Sequence, residues 1–193
     1  MAEKGLLEIL NRYTPDDGAE AFLRSGTDIH VRTNKENRLL ELEARFPAPV
    51  TKTELHRIEH DICVAYALRS VRIFPHYPVS FLSDGYIPQI MDETENRGIV
   101  ARGFFAGYRY TFSDKRLDIT VPIAESGVSL MCSANTPRIM EEIIESEFGV
   151  HVAVTISHVD TDDSAYMDRE QRMLSEMTSQ MKYASERYDQ IVA

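Results

Sequence analysis

The chain has 193 residues and a formal net charge of −10. That length holds one medium domain or two small ones, and the balance of apolar and charged residues is that of a globular protein. The carboxylate surplus argues against direct contact with a nucleic-acid backbone, and no apolar run reaches the length that spans a bilayer. No signal-peptide pattern is visible, so a cytoplasmic protein is expected, with no membrane partner. Cys63 and Cys132 lie far apart, in apolar surroundings and outside any CxxC pattern, which predicts buried free thiols. Any basic patch must come from Arg69 and Arg72, or from the scatter Arg102, Arg109, Lys115 and Arg116.

The predicted elements begin with "EKGLLEILNR" (3–12), where Leu6, Leu7, Ile9 and Leu10 have helical spacing. "TPDDG" is a turn whose aspartates can cap the short helix "AEAFLRSG" (19–26). The period then changes to two. "DIHVRT" alternates Ile29 and Val31 with polar residues, "NKEN" turns, and "RLLELEARF" alternates Leu40, Leu42, Ala44 and Phe46. This predicts a hairpin with one buried face. Thr51 and Glu54 have capping-box spacing before a helix with the stripe Leu55, Ile58, Ile62, Ala65 and Tyr66. "SVRIFPHYP" follows as a strand with Val71 and Ile73 inward.

A second unit starts after Pro78. Tyr86, Ile87, Ile90 and Met91 predict a helix to about Arg97, broken at Gly98, and "IVARGFFAG" predicts another short helix. "YRYTF" and "RLDITVP" flank "SDK" as a second hairpin, and residues 124–131 form a short helix. "TPRIMEEIIESEFGVHVAVTIS" (136–157) is a helix with Thr136 as N-cap, Pro137 in its first turn and Gly149 as its stop. An alternating strand closes it. The whole reads as α+β, with units at 1–78 and 79–157 and an acidic linker with a connector helix over 158–193. No internal repeat is visible.

Few motifs carry chemistry. "HRIEH" places His56, Glu59 and His60 in the H-x-x-E-H order of inverted zinc peptidases. Two histidines four apart on one helix face can hold a zinc ion, with the glutamate as general base. Against this, the face lies away from Ile58 and Ile62, no third ligand is marked, and a solvated polar face is the preferred reading. "GFFAG" (103–107) lacks the spacing of phosphate loops. "DTDDSA" sets Asp160, Asp162 and Ser164 at EF-hand positions, but Ala165 replaces the required glycine and Gln171 the closing glutamate. "MDETEN" (91–96) is read as a solvated helix end. Tyr108, Tyr110 and Phe112 alternate on one strand and share a face. Such a face is a base-stacking platform or, with little beyond Arg109 beside it, core or a protein interface. No catalytic residues and no cofactor are expected in this chain.

The order α-β-β-α-α-β of the second unit resembles type II KH-like domains. Nucleic-acid-binding members carry GXXG between their central helices; here that junction is "MCSANTP" (131–137), without glycine. The leader "LLEIL", the hairpin "IHVRTNKENRLLELEARFPAPV", the helix-strand "LHRIEHDICVAYALRSVRIF" and the stretch from Tyr108 to Ile156 together resemble the N-terminal region of PolC-type DNA polymerase III alpha subunits. The resemblance covers roughly residues 5–157. One departure is that the family often carries an aromatic residue, commonly Trp, in the second strand, where this chain has Leu39-Leu40. The resemblance implies a replicative polymerase whose polymerase and 3'-5' exonuclease domains lie beyond residue 193. It also implies a non-catalytic N-terminal module that binds replisome proteins, notably the clamp-loader tau subunit. Direct nucleic-acid binding, if present, is expected to be weak. The expected contact residues are Phe104, Phe105, Tyr108 and Tyr110, with Arg109 at the rim.

Overall fold

The computed structural model describes residues 5–98, 100–113 and 115–159. The predicted connector helix and the EF-hand-like "DTDDSA" lie outside the described residues. The fold is α+β, and among the described residues no helix is long and apolar enough to cross a membrane.

The first half opens with a single turn, α1 (Leu6–Ile9), and then α2 (Asp17–Ser25). Asp16 caps α2, its carboxylate accepting from the Ala19 N–H at 2.9 Å. That satisfies a donor the helix start leaves without an intrahelical partner. The hairpin follows as β1 (Thr27–Asn34) and β2 (Leu39–Arg45). Its turn is closed by Asn34 Oδ1, which accepts from the Asn37 N–H at 3.0 Å. Next come α3 (Lys52–Ala65) and β3 (Ser70–His76). Thr51 caps α3 by accepting the Glu54 N–H at 3.2 Å. The Glu54 carboxylate turns to Arg57 rather than completing the reciprocal box.

In the sheet order β1-β2-β3, β1 and β2 are antiparallel and β2 and β3 parallel. Pro75, which has no N–H to donate, therefore sits on an edge strand, where a sheet tolerates it. Leu40, Leu42, Ala44, Val71 and Ile73 are buried as their alternation predicts. Burying a side chain such as Leu42 contributes about 1.5–3 kcal/mol. The alternation in β1 fails to predict burial. Val31 is 39% exposed and only Ile29 is half-buried. The reason is that α3 packs on β3 and leaves β1 beyond its cover.

The second half runs α4 (Ile87–Arg97), β4 (Arg109–Ser113), β5 (Arg116–Val121), α5 (Glu125–Ser133), α6 (Thr136–Phe148) and β6 (Ala153–His158). Its sheet, β4-β5-β6, repeats the first pattern of an antiparallel hairpin followed by a parallel third strand. The two halves thus share a connectivity that their sequences do not advertise. Two local expectations shift. Residues 100–107 form successive turns instead of a helix, with Gly103 at φ 82° and Gly107 at φ 73°. Thr136 is the first residue of α6 and is buried, while Asn135 precedes it in the left-handed region at φ 57°. Gly149 ends α6 in the same region, as its position predicts.

The halves meet over a shared core. Phe22 stacks on Phe46 with ring centroids 4.0 Å apart, and Phe46 reaches Tyr77 at 6.4 Å. Tyr77 and Tyr86 both pack on Phe148, at 6.0 and 5.0 Å. The Tyr77 N–H donates to the Glu147 carbonyl at 2.7 Å. Within this joint the Glu147 carboxylate accepts from Lys52 Nζ and, at 2.8 Å, from the Tyr86 hydroxyl. The Lys52 and Glu147 side chains are 4% and 3% exposed. Gln89 Oε1 accepts the Lys52 N–H at 2.7 Å, so α4 helps to cap α3.

Candidate functional site

The H-x-x-E-H residues do not face water together. Glu59 is buried and His56 half-buried, while His60 is exposed. His56 Nδ1 donates to Glu59 at 2.9 Å and its Nε2 to Glu93 of α4 at 2.8 Å. The second Glu59 oxygen accepts the Ile73 N–H of β3 at 2.6 Å, and the second Glu93 oxygen accepts Arg97 Nε at 2.7 Å. Both ring nitrogens are therefore committed to carboxylates. The hydrogen bond to Glu59 and then that to Glu93 raise His56 to about 9, against the desolvation that opposes its charge. Burial pushes Glu93 upward, but the hydrogen bonds from His56 and Arg97 outweigh it and hold the carboxyl down at about 2. This is an imidazolium bridge joining α3 to α4 and β3. A metal ligand needs a free imidazole lone pair, and here the ring spends both nitrogens on anions. Among the described residues no group of three or more histidine, cysteine or acidic side chains is arranged to hold a metal ion. The expectation of a solvated face is corrected with the same stroke, as is that for "MDETEN", because Glu93 and Thr94 are 3% and 0% exposed.

The aromatic cluster is brought together. Tyr108 and Tyr110 stack with centroids 6.0 Å apart and planes 29° from parallel. Phe105 meets Tyr108 edge-on at 6.3 Å. The Tyr110 hydroxyl donates to the Asp84 carbonyl at 2.9 Å, which fixes that ring against the turn leading into α4. Both tyrosines and Phe104 are half-buried, so each offers part of a ring to solvent. Phe105 is 4% exposed and belongs to the core; it is the support on which Tyr108 rests, not a contact residue. Arg109 is exposed but alternates to the other face of β4, so it does not rim the tyrosine pair on its own face. Since β4 is an edge strand, a partner that wraps the edge reaches both.

The remaining candidates resolve simply. "GFFAG" supplies Phe105 to the core and two left-handed glycines to turns. The α5–α6 junction is only Ala134-Asn135. Both cysteines are free, but Cys63 is half-buried and Cys132 exposed, so burial holds for neither in full. The sequence reading missed the Lys52–Glu147–Tyr86 joint altogether. Ninety-five positions separate the two charges, and no local pattern links them. It also missed Glu93, for which the Arg97 four residues on was the available signal. No family model and no curated protein matches the chain.

Proposed function

We propose that this chain is a non-catalytic protein-interaction module at the N-terminus of a PolC-type replicative DNA polymerase. Its task is to tether the polymerase to the replisome, with the tau subunit of the clamp loader as the partner. The polymerase and exonuclease chemistry belongs to the parent chain beyond residue 193. The observation that carries the reading is the stacked Tyr108–Tyr110 pair, braced by Phe105 and by the Tyr110–Asp84 hydrogen bond on an edge strand. Rigid, partly exposed aromatic rings contribute binding area at little cost in side-chain entropy, and aromatics with arginine dominate interface energy. A tether of this kind raises local concentration and leaves the chemistry untouched. The carboxylates that occupy His56 support a structural role for H-x-x-E-H.

Calorimetric titration of the 193-residue chain with the C-terminal region of tau tests the proposal, with a single-stranded oligonucleotide as the parallel titrant. Saturable binding to tau, weakened about tenfold or more by Tyr108→Ala, is the expected result. Binding that is indifferent to both Tyr108→Ala and Tyr110→Ala refutes the assigned surface. A second reading, weak single-stranded nucleic-acid binding, rests on the same stacked rings, with Arg109 exposed on the other face of the strand. It requires oligonucleotide affinity that falls steeply with salt.

A further inference from the structure

The first half holds a groove that the aromatic surface does not involve. It has a volume of about 410 Å³ and lies between α1 and the uncovered side of β1. Ile9, Val31, Leu40, Tyr66 and Leu68 line it, and Lys35 and Arg38 stand at its margin. Val31 is 39% exposed. Beside the groove runs the outer edge of β1, which among the described residues has a strand neighbour on one side only. Arg69 adjoins the same end, its N–H donating to the Arg38 carbonyl at 2.9 Å.

Some cations of this chain are paired, and others, among them Arg12, Arg72, Arg109 and Lys115, form no ion pair among the described residues. Arg24, Arg57, Arg97, Arg116 and Arg138 are each matched to a carboxylate within their own helix or strand. Lys35, Arg38 and Arg69 form no ion pair among the described residues. In a chain with net charge −10, three unmatched cations round an apolar groove select an acidic occupant. On the other face of β1, Arg32 is 76% exposed and reaches Glu43 only at 3.9 Å. A strand laid along β1 places alternate side chains on the two faces. Apolar residues then enter the groove while acidic ones meet Arg32.

We propose that the free edge of β1, with the Val31 groove and the Lys35–Arg38–Arg69 margin, is a docking site for an extended acidic peptide with alternating apolar residues, added as a fourth strand. Backbone hydrogen bonds to the edge supply affinity, and the groove and cations supply selectivity. The site is separate from the Tyr108 surface and does not depend on the function proposed for it.

The test uses the full chain and a fluorescein-labelled synthetic peptide, Glu-Val-Glu-Val-Glu-Val, followed by fluorescence anisotropy. Lys-Val-Lys-Val-Lys-Val is the control. Saturable binding of the acidic peptide is expected, weakened about tenfold by Val31→Glu and by Lys35→Glu combined with Arg38→Glu, and eased by salt. Tyr108→Ala is expected to leave it unchanged. Should Val31→Glu disturb the fold by circular dichroism, the charge-reversal variant, built at exposed positions, decides alone. Absence of saturable binding, equal binding of the lysine peptide, or affinity that survives charge reversal overturns the proposal. So does affinity that falls with Tyr108→Ala instead.

Discussion

Replacing Lys52 with methionine strikes the joint between the halves at its buried ion pair. Lys52→Met keeps most of the side-chain volume and removes the only cation that, among the described residues, contacts the Glu147 carboxylate. Breaking a buried ion pair from one side costs about 3–5 kcal/mol, because the surviving charge stays buried. Here the Tyr86 hydroxyl still donates to that carboxylate at 2.8 Å, which places the expected loss near the lower end, about 3 kcal/mol. Against a usual total of about 5–15 kcal/mol, that is a large fraction. Urea unfolding followed by circular dichroism reads it as a lower midpoint, with the slope separating lost stability from a change in compactness. Adding Glu147→Gln removes the orphaned charge and leaves an acceptor for Tyr86, so the double variant is expected to recover most of the loss. A single-variant loss below about 1 kcal/mol, the scale of a surface pair, refutes the argument. A double variant as unstable as the single one refutes it equally.

Three further outcomes follow from the same structure. His56 is held at about 9 against an ordinary 6.5, so its contribution is full below pH 6.5 and drains away as pH rises through 9. After discounting for partial exposure this amounts to about 1–2 kcal/mol, and His56→Gln should flatten that part of the stability–pH curve. Phe105→Ala should cost about 3–5 kcal/mol by opening the core, whereas Tyr108→Ala, at a half-buried ring, should cost clearly less in the same thermal melts. Gly149 has φ +66° and open space where a Cβ would stand. Gly149→Ala should therefore cost about 1–2 kcal/mol from backbone strain alone, and Gly149→Asn less.

Most of the fold was legible because it is written in local periods. Leu40, Leu42 and Ala44 alternate, Ile58 and Ile62 recur at helical spacing, and Gly149 ends its helix, so each element follows from its own neighbourhood. Burial was legible only where an element is covered as its pattern suggests. Val31 has the right period but, among the described residues, no helix above it, and a strand cannot announce which of its faces another segment will reach. The helix expected over "IVARGFFAG" failed because apolar composition was read without the two glycines that take left-handed turns. At H-x-x-E-H the local pair His56–Glu59 was visible, yet the partner that decides its chemistry, Glu93, arrives from 37 positions away. The tyrosine pair was found from spacing alone, although Tyr108 stands one residue before β4. Phe105 was misplaced because composition does not separate a ring that binds from the ring that supports it.

Two carboxylates, the buried Glu59 of α3 and the half-buried Glu141 of α6, reach strand backbone. Glu59 accepts the Ile73 N–H of β3, and Glu141 accepts the Val154 N–H of β6 at 3.0 Å. Each therefore occupies a donor on the outer side of the third strand of its sheet. A foreign strand arriving there would have to expel a carboxylate and would bring its own carbonyls against negative charge. Unprotected edges are where sheets fuse with one another and aggregate. In this molecule each sheet is stopped at one end by a glutamate from its own helix, so it can grow in only one direction. Self-association through these third strands is thereby opposed at the level of single hydrogen bonds.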